Sequence, residues 1–135
     1  MNWVYQGVEI ESPPEGNIGF VYIITNNLNG KWYIGKKILQ NTLRKKVKNS
    51  TRRKVTKKES DWKSYYGSGP LLLSEIEHFG KENFRREILH FCRNKSEMGY
   101  FEAKEQFLRG ALETNESMNE WIMVRVRKSS LINKK

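Results

Sequence analysis

The chain has 135 residues, the usual size of one domain and long enough to bury a hydrophobic core. One cysteine and two histidines exclude an internal disulfide framework and are too few for an ordinary structural zinc site. No apolar run is long enough for a signal peptide or a membrane span, so we expect a single cytoplasmic domain over residues 1–135 with no membrane partner.

Positive charge is concentrated in one part of the chain. The formal net charge is +10, and eleven of the 25 Lys and Arg residues lie between Lys36 and Lys58, where there is no Asp or Glu. A block of this kind is typical of a surface that binds a polyanion, and nucleic acid is the first candidate. The alternative is a solvated, disordered loop whose charge only keeps the protein soluble.

The first half of the chain predicts an arm, a hairpin and a basic insert. Residues 1–18 contain a Pro-Pro pair and predict an extended N-terminal arm. In "GFVYIITNNLNGKWYIGKK", β-branched and aromatic residues predict strands over 19–25 and 31–35, and the asparagines and glycine between them favour a turn. The basic insert, about residues 36–60, is predicted to be irregular.

The second half alternates helices and strands. "GPLLLSEIEHFG" predicts a short helix that begins at Pro70 and ends before Gly80. A strand is predicted over 83–91, and a longer helix over about 97–113 with Ser96 as candidate N-cap. The tail "NEWIMVRVRK" predicts a final strand.

The longer helix contains an acidic residue where a hydrophobic one belongs. Its inward stripe is predicted to consist of Met98, Phe101, Leu108 and Leu112. At about 100° per residue, Glu105 falls on that stripe, and a buried carboxylate needs a cation, a metal ion or a hydrogen-bond network beside it. The alternative is a glutamate at the stripe edge that reaches water or pairs with an arginine. Glu97 and Glu102 are expected at the surface.

Tyr22 and Tyr33 stand at matching places in the two hairpin strands. Tyrosine favours strands, so sheet structure alone explains both residues. The interpretation shifts towards function because the hairpin ends in Lys36 and Lys37 and the basic insert follows it. In addition, Glu105 comes later in the chain, on a helix stripe that is otherwise hydrophobic.

Four segments together resemble one known family. "VYI" and "YIGKK", with eleven residues from Tyr22 to Tyr33, resemble the two-part signature of the GIY-YIG nucleases, although Phe20 and Val21 stand where the family usually has Gly and Ile. "EHFGKENFRREIL" is similar to a helix-to-strand junction of phage homing nucleases in this family. "EAKEQFLRGAL" resembles the helix with the family's metal-binding glutamate, which maps onto Glu105. "SDWKSYYGSG" resembles a segment of small phage-encoded Seg-type members.

The resemblance covers about residues 19–127 and implies both fold and activity. The fold is the α/β (α+β) fold of the GIY-YIG nucleases, with a small, mixed, mostly antiparallel three-stranded central sheet flanked by helices. The activity is hydrolysis of DNA phosphodiester bonds with one divalent ion, Mg²⁺ or in its place Mn²⁺. Glu105 would be the protein's metal ligand, which suffices because Mg²⁺ keeps several waters and also binds substrate phosphate.

The resemblance also assigns roles to further residues. Tyr22 would lie beside the attacking water as general base or relay, and Tyr33 would orient water or phosphate. A phenol with a pKa near 10 is a poor base at neutral pH, so neighbouring cations, for which Lys36 and Lys37 are well placed, must assist.

An arginine and an asparagine complete the implied catalytic set. Arg44 best matches the arginine that clamps the scissile phosphate, with Arg52 or Arg53 as alternatives. Asn119 is the nearest match to the asparagine of the family's last strand region, with Asn115 as its rival.

DNA contacts are expected from the cations of the insert and from three aromatic residues. These residues are Lys36, Lys37, Lys45, Lys46, Arg52, Arg53, Lys54, Trp62, Tyr65 and Tyr66. A core role for at least one of the aromatic residues is the alternative. Because the chain stops soon after the last predicted strand, we expect no separate DNA-recognition domain, modest sequence specificity and strong salt dependence.

Two classes of function stay open. The first is a DNA endonuclease of homing type, or one acting in restriction or repair, that nicks as a monomer or cuts both strands as a homodimer. The second is a DNA-binding module on the same scaffold whose catalysis has lapsed, as the altered first motif permits.

Overall fold

The computed structural model of the protein describes residues 2–46 and 53–132, with the side chains of residues 43–46 and 53–55 outside the description. The strands are β1 (Val4–Tyr5), β2 (Val8–Glu9), β3 (Gly19–Asn26), β4 (Trp32–Ile38), β5 (Gln40–Lys46), β6 (Arg53–Glu59) and β7 (Phe84–Cys92). The helices are α1 (Pro70–Phe79), α2 (Lys95–Leu108) and the short α3 (Lys128–Leu131). Within the described residues, none of these helices has the length and apolar character needed to cross a membrane.

The main sheet is built around β3, which pairs antiparallel with both β4 and β7. The strand order is β2-β1-β7-β3-β4, and β1 runs parallel to β7. The predicted mixed, mostly antiparallel sheet flanked by helices is confirmed, but the described sheet has five strands where three were expected. The prediction of an extended N-terminal arm is wrong for β1 and β2, since both strands join this sheet and Trp3 lies in the core.

Alternate residues of β3 enter two different hydrophobic clusters. Phe20, Tyr22 and Ile24 lie in the cluster on the α1 side of the sheet. Val21 and Ile23 lie in the cluster on the α2 side. Because successive side chains of a strand point to opposite faces, a central strand covered on both faces must be apolar throughout. This is why the segment carries so few polar residues.

A β-bulge interrupts the pairing of β3 with β7. Val21 is opposite His90 while Tyr22 is opposite Ile88, so Leu89 is the extra residue. Leu89 packs in the α2-side cluster and His90 stacks on Phe101 of α2, so two successive residues lie on one face. The bulge explains why the sequence of this strand alternates poorly.

Arg86 of β7 joins three parts of the chain inside the α1-side core. It is 4% exposed, and its Nη1 atom donates hydrogen bonds to the carbonyl oxygens of Lys63, at 3.0 Å, and Tyr65, at 2.8 Å. Its guanidinium lies 4.7 Å from the Trp3 ring centroid and 4.1 Å from that of Tyr66. Burial lowers its pKa. The 60–69 loop is thereby fastened to the sheet.

The basic insert is not irregular where the structure describes it. β4 extends to Ile38, and β5 and β6 form a separate two-stranded antiparallel hairpin with a register from Gln40 opposite Glu59 to Lys46 opposite Arg53. Residues such as Thr42 favour strands, a preference that the many lysines obscured. Residues 47–52 lie outside the described part of the chain.

The helix predictions were accurate for α1 and less so for α2. α1 begins at Pro70 and is followed by Gly80 with φ of 90°, as predicted. α2 begins two residues earlier than expected because the side chain of Asn94, and not that of Ser96, caps it by accepting a hydrogen bond from Glu97 N at 2.9 Å. It ends at Leu108, where residue 113 was expected.

The predicted last strand over 119–128 is absent from the described residues. A single bridge joins Trp32 to Ser117, and Lys128–Leu131 is a short helix. The chain leaves the sheet after Asn119, whose side chain occupies the hydrogen-bonding groups of β4 that a strand would use.

Trp62 and Trp121 provide a matched test of this core. Trp62 is 2% exposed and Trp121 is 66% exposed. We expect Trp62→Ala to lower the free energy of unfolding by about 3–5 kcal/mol, because it leaves a large cavity in the core. Trp121→Ala should change it by no more than about 0.5 kcal/mol. Urea denaturation measures both, and equal effects would contradict the assigned burial.

Candidate active site

A cleft of about 360 Å³ opens beside β4, the strand at one edge of the main sheet. Its walls come from β4, the start of α1, α2 and residues 118–123. Tyr33, Lys36, Glu102 and Asn119 line it. Two of the sequence-predicted catalytic residues, Tyr33 and Asn119, are therefore brought together here.

Tyr33 is held in the cleft by two glycines and a hydroxyl group. A β-carbon at Gly35 would touch the Tyr33 ring, and one at Gly69 would overlap it, so both positions require the absence of a side chain. Burial raises the pKa of the Tyr33 phenol, and a hydrogen bond with Ser68 lowers it by less. The phenol is therefore neutral near neutral pH and can donate a hydrogen bond into the cleft.

Tyr22 lies behind Tyr33 rather than in the cleft. It is 1% exposed, and its ring centroid is 6.4 Å from that of Tyr33 and 6.0 Å from that of Tyr65. Its hydroxyl reaches the space left by the missing side chain of Gly35. Burial, with smaller contributions from Tyr65 and Tyr33, raises its pKa well above 10.0. The phenolate needed by a general base is strongly disfavoured, and the position suits a residue that supports Tyr33.

Glu102 is the acidic residue of α2 that lines the cleft beside Tyr33. Its side chain is 17% exposed, and a carboxylate oxygen lies 3.6 Å from Lys36 Nζ. Burial raises the pKa of Glu102, while Lys36 lowers it by less. The expectation that Glu102 is a surface residue is wrong. The missed signal is its place between Met98 and Gln106, at intervals of four residues on the buried face.

Glu105 is not among the described residues that line the cleft. Its Oε2 atom lies 3.0 Å from His90 Nε2, and its Oε1 atom accepts a hydrogen bond from Arg109 Nε at 3.1 Å. Burial raises the pKa of Glu105, but the hydrogen bonds from His90 and Arg109 outweigh it and bring the pKa below its usual range. Both oxygens thus have partners already, and among the described residues the cleft is lined by Glu102 and not Glu105.

The predicted inward stripe of this helix is wrong in its second half. Leu108 is 71% exposed and Leu112 is 53% exposed. The buried face includes Met98, which belongs to the expected stripe, together with Ala103 and Gln106, and its centre lies more than about 90° around the helix from that of the stripe. α2 is covered by the tail as well as by the sheet, and small residues such as Ala103 permit that contact.

Asn119 fastens one wall of the cleft to β4. Its Oδ1 atom accepts a hydrogen bond from Ile34 N at 2.9 Å, and its Nδ2 atom donates one to Ile34 O at 2.8 Å. The amide thus pairs with β4 as the peptide group of a neighbouring strand would. Asn119 is a positioning residue in this geometry, and its rival Asn115 is exposed.

The two hairpin lysines, Lys36 and Lys37, differ in how freely their ammonium groups can contact a phosphate. Lys36 is exposed at the cleft and lies near Glu102. Lys37 Nζ lies 2.6 Å from Asp61 Oδ1 and 4.2 Å from the centroid of the Tyr65 ring. Lys36 is therefore the better placed of the two to meet a phosphate.

Trp62 is too deeply buried to stack on DNA, so that prediction is wrong. Tyr65 and Tyr66 are half-buried and pack against the α1-side core. The exposed aromatic residue at the cleft is Trp121, which the sequence did not single out.

Most of the remaining predicted cations belong to the sequence of β5 and β6. The backbones of Arg44, Lys45, Lys46, Arg53 and Lys54 belong to these strands, while their side chains lie outside the description. Arg52 lies outside the described residues altogether. The phosphate-clamping arginine and the DNA contacts of this group stay predictions.

The cleft offers few protein ligands for a metal ion, so it suits a hard cation that keeps most of its bound water. In the described part of the chain, no three His, Cys, Asp or Glu residues form a group that could hold a metal ion. Glu102 and Glu120 both line the cleft. Mg²⁺ is commonly bound by one or two carboxylates, with water and substrate phosphates completing its shell, so these residues fit it.

One comparison with known proteins identifies a family. A family model described as "Putative endonuclease segE, GIY-YIG domain" matches residues 3–123. The matched range contains the main sheet, both tyrosines and every element that lines the cleft. No curated protein and no solved structure matches the chain.

Two of the glutamates of α2, Glu102 and Glu105, should respond to pH in opposite ways. The raised pKa of Glu102 means that stability is lost as pH rises from its unfolded to its folded pKa, so Glu102→Gln should be more stable than the parent at neutral pH. The lowered pKa of Glu105 contributes stability that is present above its unfolded pKa and lost as pH falls through its folded pKa. Glu105→Gln should therefore be less stable at neutral pH and equal to the parent in acid.

Urea denaturation of both variants across acidic and neutral pH checks this pair. A stabilising Glu105→Gln or a destabilising Glu102→Gln at neutral pH would overturn the assigned environments.

Proposed function

The chain belongs to the Seg-type GIY-YIG nuclease family, and we propose that it is an endonuclease that hydrolyses phosphodiester bonds in DNA with one divalent metal ion. The observation that carries the proposal is the cleft in which Tyr33, Lys36 and Glu102 meet. A neutral phenol, an ammonium group and a carboxylate are the groups needed to orient a phosphate, to stabilise its charge and to hold a cation.

Glu102 is the proposed metal ligand, in place of the sequence-predicted Glu105. Its carboxylate lies in the cleft and has the ammonium group of Lys36 as neighbour, whereas both oxygens of Glu105 are engaged by His90 and Arg109. Mg²⁺, or Mn²⁺ in its place, would polarise the phosphate and stabilise the leaving oxygen. Lys36 lies 3.6 Å from this carboxylate and would be available to contact phosphate where a cation took its place beside Glu102.

Tyr33 is proposed to orient the phosphate or the attacking water through its hydroxyl group. Its raised pKa keeps the proton on the phenol, so it acts as a donor and not as a base at neutral pH. Tyr22 supports Tyr33 from the core, and Asn119 keeps the opposite wall in place. The attacking water would lose its proton to solvent water, since both tyrosines keep their own protons at neutral pH.

The alternative of a lapsed DNA-binding module rests on the altered first motif. Phe20 and Val21, the two departures, are both 0% exposed. Phe20 packs against Trp3 and Trp62, with ring centroids 5.0 and 6.2 Å away. The departures therefore change core packing without removing a group from the cleft, which favours the active nuclease.

The biological role is proposed from resemblance alone. Likeness to small Seg-type members favours a homing-type enzyme of a phage or mobile element over restriction or repair. A single candidate active site in the described part of the chain suits nicking by a monomer, and cleavage of both strands by a two-fold homodimer is the second possibility.

Supercoiled-plasmid cleavage tests the proposed activity. With Mg²⁺ we expect nicked or linear product, none with EDTA, and a rate lower by about a hundredfold or more in Glu102→Gln and Tyr33→Phe, because both variants stabilise the transition state less well. The exposed Glu113→Gln is the matched control and should cleave like the parent.

A gel shift in EDTA must show that the Glu102→Gln and Tyr33→Phe variants still bind DNA. Loss of cleavage in Glu105→Gln, with cleavage kept in Glu102→Gln, would identify Glu105 as the metal ligand, as the sequence predicted. Binding without cleavage in both Mg²⁺ and Mn²⁺ would support the lapsed module instead.

The basic hairpin is proposed to supply most of the DNA affinity. Its register places Lys45 opposite Lys54 and Lys46 opposite Arg53, and like charges at opposite positions destabilise a strand pair unless an anion lies nearby. Replacing these four residues with alanine should reduce the salt dependence of binding by about 0.9 in the log–log slope for each phosphate that the variant no longer neutralises. Titration by fluorescence anisotropy at several salt concentrations measures the slope, and an unchanged slope would rule out the hairpin as a phosphate-binding element.

A further inference from the structure

Residues 121–127, which we call the exit segment, lead away from the cleft along the surface. Trp121 and Met123 line the cleft and are 66% and 78% exposed. The segment ends at Arg127, immediately before α3. Trp121 and Met123 together expose apolar surface at the wall of the cleft, and such a patch beside polar groups is typical of a ligand-binding surface.

The arginines of the exit segment differ from the other described arginines of the surface. Arg125 and Arg127 are exposed, and neither side chain forms a hydrogen bond or an ion pair with another described residue. Arg85, Arg93 and Arg109, by contrast, each pair with a glutamate. Two arginines without carboxylate partners among the described residues remain available for an external anion.

The exit segment is anchored despite having no strand or helix over its described length. Ile122 and Val126 are half-buried, and Val126 lies next to Gly99, where an added β-carbon would be 3.8 Å from its Cγ2 atom. Asn119 fixes the chain to β4 immediately before it. The exposed aromatic and basic side chains are therefore presented from a backbone held at several points.

We propose that the exit segment binds the DNA strand that leaves the cleft, with Trp121 stacked on a nucleotide and Arg125 and Arg127 on its phosphates. This inference rests on the proposed nuclease function and adds a substrate-binding surface to it. An aromatic ring combined with arginines is the arrangement that binds exposed bases and backbone together. The segment begins in the same cleft as Glu102 and Tyr33, so the bound strand would be continuous with the scissile phosphate.

DNA is favoured over a second copy of the chain because the exit segment carries two exposed arginines and begins in the cleft. A second copy of the chain would bring the same two arginines and the same net charge of +10 to the interface. Apolar surface also lies on α2 at Phe107 and Leu108, but neither residue lines the cleft.

Tryptophan fluorescence separates the exit segment from the rest of the molecule. Trp3 and Trp62 are buried and Trp32 is half-buried, so Trp121 is the tryptophan placed to contact a ligand. In EDTA, a DNA duplex with a single-stranded overhang, which offers exposed bases, should quench the emission of the parent and of the control Trp32→Phe, and quenching should be lost in Trp121→Phe. Quenching that persists in Trp121→Phe would overturn the stacking.

Affinity for the same duplex, labelled with fluorescein, gives the second readout. Trp121→Ala should weaken binding by about tenfold, because stacking on one base is removed, and Trp121→Phe should restore most of the affinity. Equal affinity of the parent and Trp121→Ala would contradict the proposal.

The arginines are tested by the salt dependence of binding. Arg125→Ala with Arg127→Ala should reduce the log–log slope by about 1.8, which corresponds to two phosphate contacts. The double variant Arg85→Ala with Arg93→Ala changes the net charge equally and should leave the slope near that of the parent, since both arginines already pair with glutamates. Equal slopes for the two double variants would overturn the phosphate contacts.

These outcomes are independent of catalysis because they are measured in EDTA. If the parent binds DNA but the exit-segment variants behave like it, the exit segment is excluded while the nuclease proposal stands. If the parent does not bind DNA at all, both proposals fail. If plasmid cleavage fails while quenching and slope change as expected, the exit segment stands on a DNA-binding protein.

Discussion

Burial of β3 on both faces is the constraint on which the rest of this structure depends. The strand pairs with β4 and β7 and contributes alternate residues to two hydrophobic clusters. This alternation places Tyr22 in the α1-side core, and the pairing places Gly35 of β4 directly opposite it. The missing side chain of Gly35 then leaves room for the Tyr22 hydroxyl and for Tyr33. The cleft tyrosine is therefore positioned by core packing.

The cleft is a composite of elements that do not pair as a sheet. Asn119 substitutes side-chain hydrogen bonds for those of a further strand and holds the 118–123 wall against β4. On the other side, the loop that leads to Ser68 and Gly69 is held by the buried guanidinium of Arg86, which donates to its carbonyl oxygens. Two polar side chains, half-buried Asn119 and buried Arg86, thus position the walls of the cleft through hydrogen bonds to the main chain.

Two glutamates one helical turn apart on α2 have opposite electrostatic environments. Glu102 is desolvated beside a single lysine, so its charged form is disfavoured in the folded protein. Glu105 receives hydrogen bonds from His90 and Arg109, so its charged form is favoured. A carboxylate that a fold leaves short of partners is the one able to gain from an added cation. This difference in solvation, more than the position of either residue along the helix, distinguishes a candidate metal ligand from a structural ion pair.

Local signals in the sequence determined the hairpin of Tyr22 and Tyr33, the limits of α1 at Pro70 and Gly80, the mixed sheet and the family, because residue periodicity, turn residues and short motifs are properties of neighbouring residues. Other features depend on contacts between distant segments. The choice between Glu102 and Glu105 turned on a helix phase shifted by more than about 90°, which only the packing of α2 against both sheet and tail decides. The burial of Trp62, the place of Trp121 at the cleft and the use of Asn119 as a substitute strand were likewise decided by tertiary structure. Each depends on which segment lies against β4 or the core, and no local pattern of residues specifies that partner.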